Sequence, residues 1–409
     1  MKKVGILTFH RAHNYGAFLQ CYALSNKIRR ENPGTTVEVI DAEAKAMADY
    51  YSTSLIDMVF SRANIKARNL RGMLSSAKQF AIRELHDPKY LQRKRQQAEL
   101  FIGEQKHLQR SEERITTADT DAFLDMIERQ GYDAVVVGSD AVFNDYQTHQ
   151  PNPFYLSEKV TAKKLSYAAS SYGFPYRDQP EDLKAKATAS LKDFAYLGVR
   201  DGETERYMEY LGVGNVHHTP DPSMFFPMDE IRTEEMLAEL TGLLKSHGID
   251  TSKEVYAVMG GNWLGQIARE IIGPDKQLVA IYAQNKYADA YIHDLRPLQW
   301  ACVFKLFRMT FTSFFHGTIF SLLNDTPTFT VEDKSPYAKQ YVTKTRDLLN
   351  RIGLSDYYYT LNDGDISKEL RAHYEDLLAN DQTERIRHAL SEERKHYASF
   401  DAALKEALK

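Results

Sequence analysis

Short runs of aliphatic and β-branched residues recur along this chain, and most end in Gly, Asn, Asp or Arg just before a stretch with helical spacing. Residues 3–9, 37–40, 134–137, 164–169, 197–199, 255–259, 278–281, 309–312 and 328–331 read this way. Apolar runs of that length without alternation belong to strands buried on both faces, which in practice means a parallel sheet covered by helices. The intervening helical patterns fall at 17–29, 122–128, 182–192, 204–211, 268–272 and 300–307, with a charged helical end over 369–408. Strand, polar turn and helix in that order build a doubly wound α/β sheet. Pro220, Pro222 and Pro227 interrupt the series, and 409 residues are enough for two cores. The expected architecture is therefore two Rossmann-like doubly wound domains facing a cleft. Their bounds are 1–225, with a basic helical insertion at about 50–115, and 226–380. A last segment, 381–409, is expected to pack back on the first domain as a bracing helix.

Composition excludes several classes. Hydrophobic residues make up 43% and charged residues 26%, as in a water-soluble protein, and a net charge of -4 exerts no pull toward nucleic acid. Cys21 and Cys302 are the only cysteines, too few for a disulfide framework or a zinc cluster. The opening Met1, Lys2, Lys3 and the apolar run after them are cut short by His10, Arg11 and His13, so a signal peptide is not expected. A cytoplasmic location follows as the expectation. Between Arg62 and Arg114 basic residues outnumber acidic ones, with Arg93, Lys94 and Arg95 in a row and Leu70, Leu74, Phe80, Ile82 and Leu91 at helical spacing. Amphipathic basic helices are usually solvated faces; the alternative is peripheral docking to the inner face of a membrane or to a lipid-linked acceptor.

The candidate chemistry sits at the ends of the strand runs. Asn14, Tyr15 and Gly16 follow the first; Ser139 and Asp140 follow 134–137; Arg200 follows 197–199; Asp221 lies in the proline cluster. In the second half, Gly261 and Asn262 follow 255–259, and Ser313, His316, Gly317 and Thr318 follow 309–312 ahead of a buried helical run read from Ser321. Carboxyl ends of parallel strands line one edge of the sheet, beside helix N-termini that attract anions. Each cluster alone is also ordinary turn chemistry. Arg200 can offer a planar fork to a carboxylate or phosphate, or simply pair with Asp201 or another acid. Lys334 and Arg346 compete as later cations. Walker, dinucleotide-binding, nucleophile-elbow and zinc-type patterns are missing, so metal-independent chemistry on an anionic substrate is expected.

Seven stretches together resemble the polysaccharide pyruvyl transferase family: GILTFHRAHNYGAFLQCYAL (5–24), VVVGSDAVFN (135–144), SYAASSYG (166–173), GVRDGET (198–204), TPDPSM (219–224), FTSFFHGTIFSLL (311–323) and, more weakly, TRDLLNRIGL (345–354). Phe143 stands where the family usually has Trp, and the basic helices conform poorly. The resemblance implies a glycosyltransferase-B-type fold and transfer of the enolpyruvyl unit of phosphoenolpyruvate onto two hydroxyls of a sugar, giving a pyruvate ketal during surface-polysaccharide assembly. It puts the family's His on His316, its strand-end Arg on Arg200, and its later donor contact on Lys334 or Arg346. Asp140 or Asp221 would orient or deprotonate the acceptor, or cap a turn. Phosphoenolpyruvate is a donor substrate, and no further cofactor is implied. The alternative on the same fold is a nucleotide-sugar-dependent glycosyltransferase, since a fold does not fix a reaction.

Overall fold

The computed structural model describes residues 1–52, 89–148, 150–332, 342–360, 366–379 and 381–409. It divides into two compact units, Met1–Pro222 with His396–Lys409, and Ser223–Lys395. In the first unit the strands are β1 (Lys3–Leu7), β2 (Thr36–Ala44), β3 (Arg110–Thr117), β4 (Ala134–Val137), β5 (Lys163–Ala169), β6 (Tyr196–Val199) and β7 (Val216–His218). In the second they are β8 (Val255–Met259), β9 (Gln277–Ala280), β10 (Ala290–Tyr291), β11 (Thr310–Thr312), β12 (Thr328–Val331) and β13 (Tyr358–Tyr359).

Among the described residues, the sheet orders are β3-β2-β1-β4-β5-β6-β7 and β10-β9-β8-β11-β12-β13. Every pairing is parallel, with Val4 opposite Ala134 in the first sheet and Thr310 opposite Ala257 in the second. Both sheets thus reverse direction of growth once, between β1 and β4 and between β8 and β11. The central strands are buried on both faces because helices cover both sides: Val4, Ile6, Leu7, Val135 and Val137 are buried, as are Val258, Phe311 and Val331, with Thr310, Thr312, Thr328 and Thr330 between them in the second sheet. Burying one such side chain fully contributes about 1.5–3 kcal/mol, so the sheet centres carry much of the stability.

The basic region does not stay helical to its end. A helix covers Tyr90–Glu104, but Arg110–Thr117 is β3, which among the described residues is an edge strand paired only with β2. Its charged residues suit an edge, where bulky cations discourage further pairing. Residues 53–88, including Arg62, Leu70, Leu74, Phe80 and Ile82, lie outside the described residues.

The last helices divide between the units. Thr383–Arg394 belongs to the second unit, where Arg387 pairs with Asp325 at 2.9 Å. Only Tyr397–Ala407 returns to the first unit. There Phe400 is fully buried with its ring 4.7 Å from Tyr167, and the Tyr196 and Ser399 hydroxyls share a 2.7 Å hydrogen bond.

Candidate functional site

The reversal between β1 and β4 is held by a buried polar relay. Thr8 Oγ1 donates to the Ser139 carbonyl at 2.9 Å and accepts from Gln20 Nε2 at 3.0 Å, while Ser139 N donates to Gln20 Oε1 at 3.2 Å. Gln20 lies on the inner face of helix Tyr15–Glu31 and is fully buried. It ties that helix to the strand ends, a role that a single Gln in an apolar helical run could have signalled. Asn14 caps the same helix, accepting from Ala17 N at 3.2 Å. Tyr15 packs 5.0 Å from the Phe101 ring and accepts from Gln97 Nε2, and Gly16 is buried, so these residues shape the loop more than they line it.

Asp140 follows β4 with φ at 82°, a left-handed geometry that Asp tolerates better than most residues. Its Oδ1 accepts from Ala141 N at 2.9 Å and from Arg200 Nη2 at 3.1 Å. Arg200 Nη1 donates to Asp221 Oδ2 at 2.8 Å. Side-chain exposure is 1% for Arg200, 1% for Asp221 and 20% for Asp140. Arg200 therefore does not present its fork to solvent; both prongs hold carboxylates that arrive from other strand ends. Burial disfavours its charge, but Asp140, Asp221 and Asp201 outweigh that and raise its pKa further. Asp201 itself caps the helix Gly202–Tyr210 through Thr204 N at 2.9 Å and accepts from Ser170 Oγ at 2.6 Å. Chemically, Asp140 is the accessible end of this cluster, a carboxylate fixed in direction and able to accept a hydroxyl proton or hydrogen bond.

In the second unit the reversal between β8 and β11 gathers Gly260, Gly261, Ser313, His316 and Gly317. Ser313 N donates to the Met259 carbonyl at 3.1 Å. A Cβ on Gly260 would sit 2.6 Å from Leu264 Cδ2 and 3.3 Å from Ser313 Oγ, so a larger residue there would have to displace Leu264. Gly317 is under the same demand, with Thr312 Oγ1 and Met259 Sδ at 2.7 and 2.9 Å from a notional Cβ.

Helix Phe315–Leu323 begins earlier than the sequence suggests, which puts His316 in its first turn. Phe314 precedes that helix and Gly261 precedes helix Asn262–Ile272; neither supplies a side-chain cap. Two helix N-termini without such caps thus stand at one strand reversal, where backbone N–H groups favour an anion. Thr318 Oγ1 donates back to the Phe314 carbonyl at 3.2 Å and bonds Thr330 Oγ1, a structural role. His316 is half-buried, edge-on to Phe315. Asn262 is exposed and accepts from Lys286 N at 2.9 Å. Asn285, which the sequence did not flag, is buried and donates to the Gly261 carbonyl at 3.0 Å. Arg346 is exposed on helix Lys344–Arg351, its backbone N–H bonded to Thr343 Oγ1; Lys334 lies outside the described residues.

A model of the polysaccharide pyruvyl transferase family matches residues 14–335, taking in Arg200, the Asp140–Asp221 cluster and His316. The chain belongs to that family. It is accordingly a transferase of polysaccharide modification, and Arg346 lies beyond the matched residues. No curated protein matches this chain. Among solved structures, the UDP-GlcNAc 2-epimerase of Neisseria meningitidis is similar at 9% identity and a TM-score of 0.54, covering 99% of this chain and 100% of that one. The Methanocaldococcus jannaschii UDP-GlcNAc 2-epimerase is similar at 12% identity and a TM-score of 0.51, over 93% of each chain. At such identities the likeness speaks to fold: the chain has two Rossmann-like domains of the glycosyltransferase-B type. No helix among the described residues is long and apolar enough to cross a membrane.

Proposed function

We propose that the protein transfers the enolpyruvyl unit of phosphoenolpyruvate onto two hydroxyls of a sugar, forming a pyruvate ketal and releasing phosphate during surface-polysaccharide assembly. The observation that carries this reading is His316 in the first turn of a helix without a side-chain cap, at the strand reversal of the second sheet. A proton donor there stands beside N–H groups suited to a carboxylate or phosphate.

The atoms balance as follows. A proton added to the methylene carbon of phosphoenolpyruvate leaves an oxocarbenium-like C2, which one sugar hydroxyl attacks as it loses its proton. Loss of phosphate regenerates the electrophile, and the second hydroxyl closes the ketal, releasing the second proton. His316 is the group that gives the first proton and can receive one of those released, since imidazole exchanges protons near neutral pH. Asp140, held by Arg200, orients the acceptor hydroxyl; Arg200 acts as a positioning residue. Lys334 or Arg346 supplies further positive charge to the donor, and the acceptor is a soluble or lipid-linked sugar.

The test pairs ligand stabilisation with turnover. Phosphoenolpyruvate should raise the melting temperature where UDP-sugars do not, because a ligand stabilises whatever state binds it. His316→Ala should lower phosphate release by about two to four orders of magnitude, the usual span for general acid–base catalysis. Stabilisation by a nucleotide sugar alone, or full activity in His316→Ala, would overturn the reading.

A further inference from the structure

Away from the strand reversals, the second unit brings together a ring nitrogen of His247, a ring nitrogen of His293 and a carboxylate oxygen of Asp294, all within 4.8 Å of one another. The residues come from two separated segments. His247 caps the C-terminus of helix Glu234–Ser246, and His293 and Asp294 follow the edge strand β10. All three are partly buried. His247 Nε2 lies 2.9 Å from Asp294 Oδ1, and the two imidazoles stand edge to face with centroids 5.6 Å apart.

We propose that these three side chains bind a divalent transition-metal ion, with Zn2+ the best chemical fit, and a water in the remaining position. Two imidazoles and one carboxylate are a donor set that Zn2+ takes in tetrahedral sites, at about 2.0–2.2 Å from each ligand. Closing a 4.8 Å spread onto such bonds needs only small side-chain rotations. Three further features favour a cation. The last carbonyls of a helix carry partial negative charge, and His247 sits on them. Arg296, the nearest cation beyond Asp294 in sequence, is neutralised by Glu239 at 2.9 Å. His293 Nδ1 lies 3.5 Å from the Tyr291 carbonyl, a loose form of the backbone support that sets which nitrogen of a ligating imidazole is free.

The site has a consequence for the catalytic half. Residues 281–295 run from the end of β9 to this cluster, and Asn285 within them supports the Gly260–Gly261 turn. A metal would pin the far end of that segment against helix Glu234–Ser246, stiffening the frame behind the turn. The sequence shows no zinc spacing because the fold, not local adjacency, assembles the ligands.

The experiment uses the full chain stripped by a chelator and dialysed, then titrated with Zn2+ by calorimetry and with Co2+ by visible absorption. One equivalent of Zn2+ and the absorption of tetrahedral Co2+ are expected, with a rise in melting temperature on loading. His293→Ala and Asp294→Asn should each abolish the stoichiometric equivalent; the latter keeps the hydrogen bond to His247 and so guards against a loss that is only misfolding. His107→Ala, in the other unit, should bind as the wild type does. No bound equivalent would show that His247 and Asp294 form only a hydrogen-bonded pair, and equal binding by the wild type and both ligand variants would place the ion elsewhere; either result overturns the proposal.

Discussion

Replacing Arg200 tests the polar centre of the first unit most severely. Arg200→Ala leaves Asp221, with 1% of its side chain exposed, without its guanidinium partner, and also releases Asp140. Breaking a buried pair by deleting one partner costs about 3–5 kcal/mol, because an uncompensated charge stays inside. For a domain of this size about 2–4 °C of melting temperature is lost per kcal/mol, so a drop of about 6–20 °C is expected. Arg200→Lys keeps the charge but cannot span carboxylates held by two separate prongs. Loss of one charged hydrogen bond puts its cost at about 1.5–3 kcal/mol. Arg200→Met combined with Asp221→Asn should melt higher than Arg200→Met alone, since the stranded charge is gone. Urea or thermal unfolding gives the stabilities, and steady-state kinetics separates the roles. A positioning Arg lowers kcat in Arg200→Lys with the donor KM little changed. An Arg200→Ala variant within about 1 kcal/mol of wild type would refute the idea that this triad is buried and charged. A tenfold rise in donor KM in Arg200→Lys would show instead that the guanidinium binds the anion itself.

Three further outcomes follow from other residues. Asp41 is buried and, although burial opposes its charge, His10 at 3.1 Å and Arg11 at 2.5 Å hold its carboxyl well below the ordinary carboxylate range. Its folded pKa lies well below the unfolded value of about 3.9, so its contribution is full above that pH and is lost as pH falls through the folded value; the gap between wild type and Asp41→Asn in pH-dependent denaturation should begin to narrow below about pH 4 and keep narrowing as the pH falls further. Gly317→Ala forces a Cβ against Thr312 and Met259 and should cost about 1–3 kcal/mol in chemical unfolding, whereas no measurable change would mean that the β11 turn relaxes freely. Changing Arg93, Lys94 and Arg95 to Ser should weaken vesicle binding and activity on lipid-linked acceptors but spare a soluble sugar analogue if the basic helix docks to anionic lipid; equal effects on both acceptors mark it as a solvated face. Of the three, Arg95 is exposed, while Lys94 already donates to the Ser52 carbonyl at 3.1 Å.

The central strands were legible because their residues leave little choice: 134–137 and 255–259 are apolar on both faces, 328–331 alternates threonine with apolar residues and is buried throughout, and their observed limits match the sequence pattern. The margins were not. β3 hides its strand character under charge, since an edge strand pairs on one side and wets the other. β7, β10 and β13 are too short to show a period. Helix Phe315–Leu323 was readable only from Ser321 because Gly317 and the aromatic residues are weak helix formers; packing of Gly317 against Met259 overrides that preference. The position of each polar cluster at a strand end was visible, but its partners were not. Arg200 meets Asp140 and Asp221 through strand order, which no local pattern encodes.

Mass spectrometry of the product, after incubation of the protein with phosphoenolpyruvate and a panel of lipid-linked and soluble sugars, addresses the central claim most directly. The expected result is a sugar bearing a pyruvate ketal, formed with one phosphate released per transfer and about two to four orders of magnitude more slowly in His316→Ala. Transfer of a sugar from a nucleotide donor with phosphoenolpyruvate left intact would contradict it.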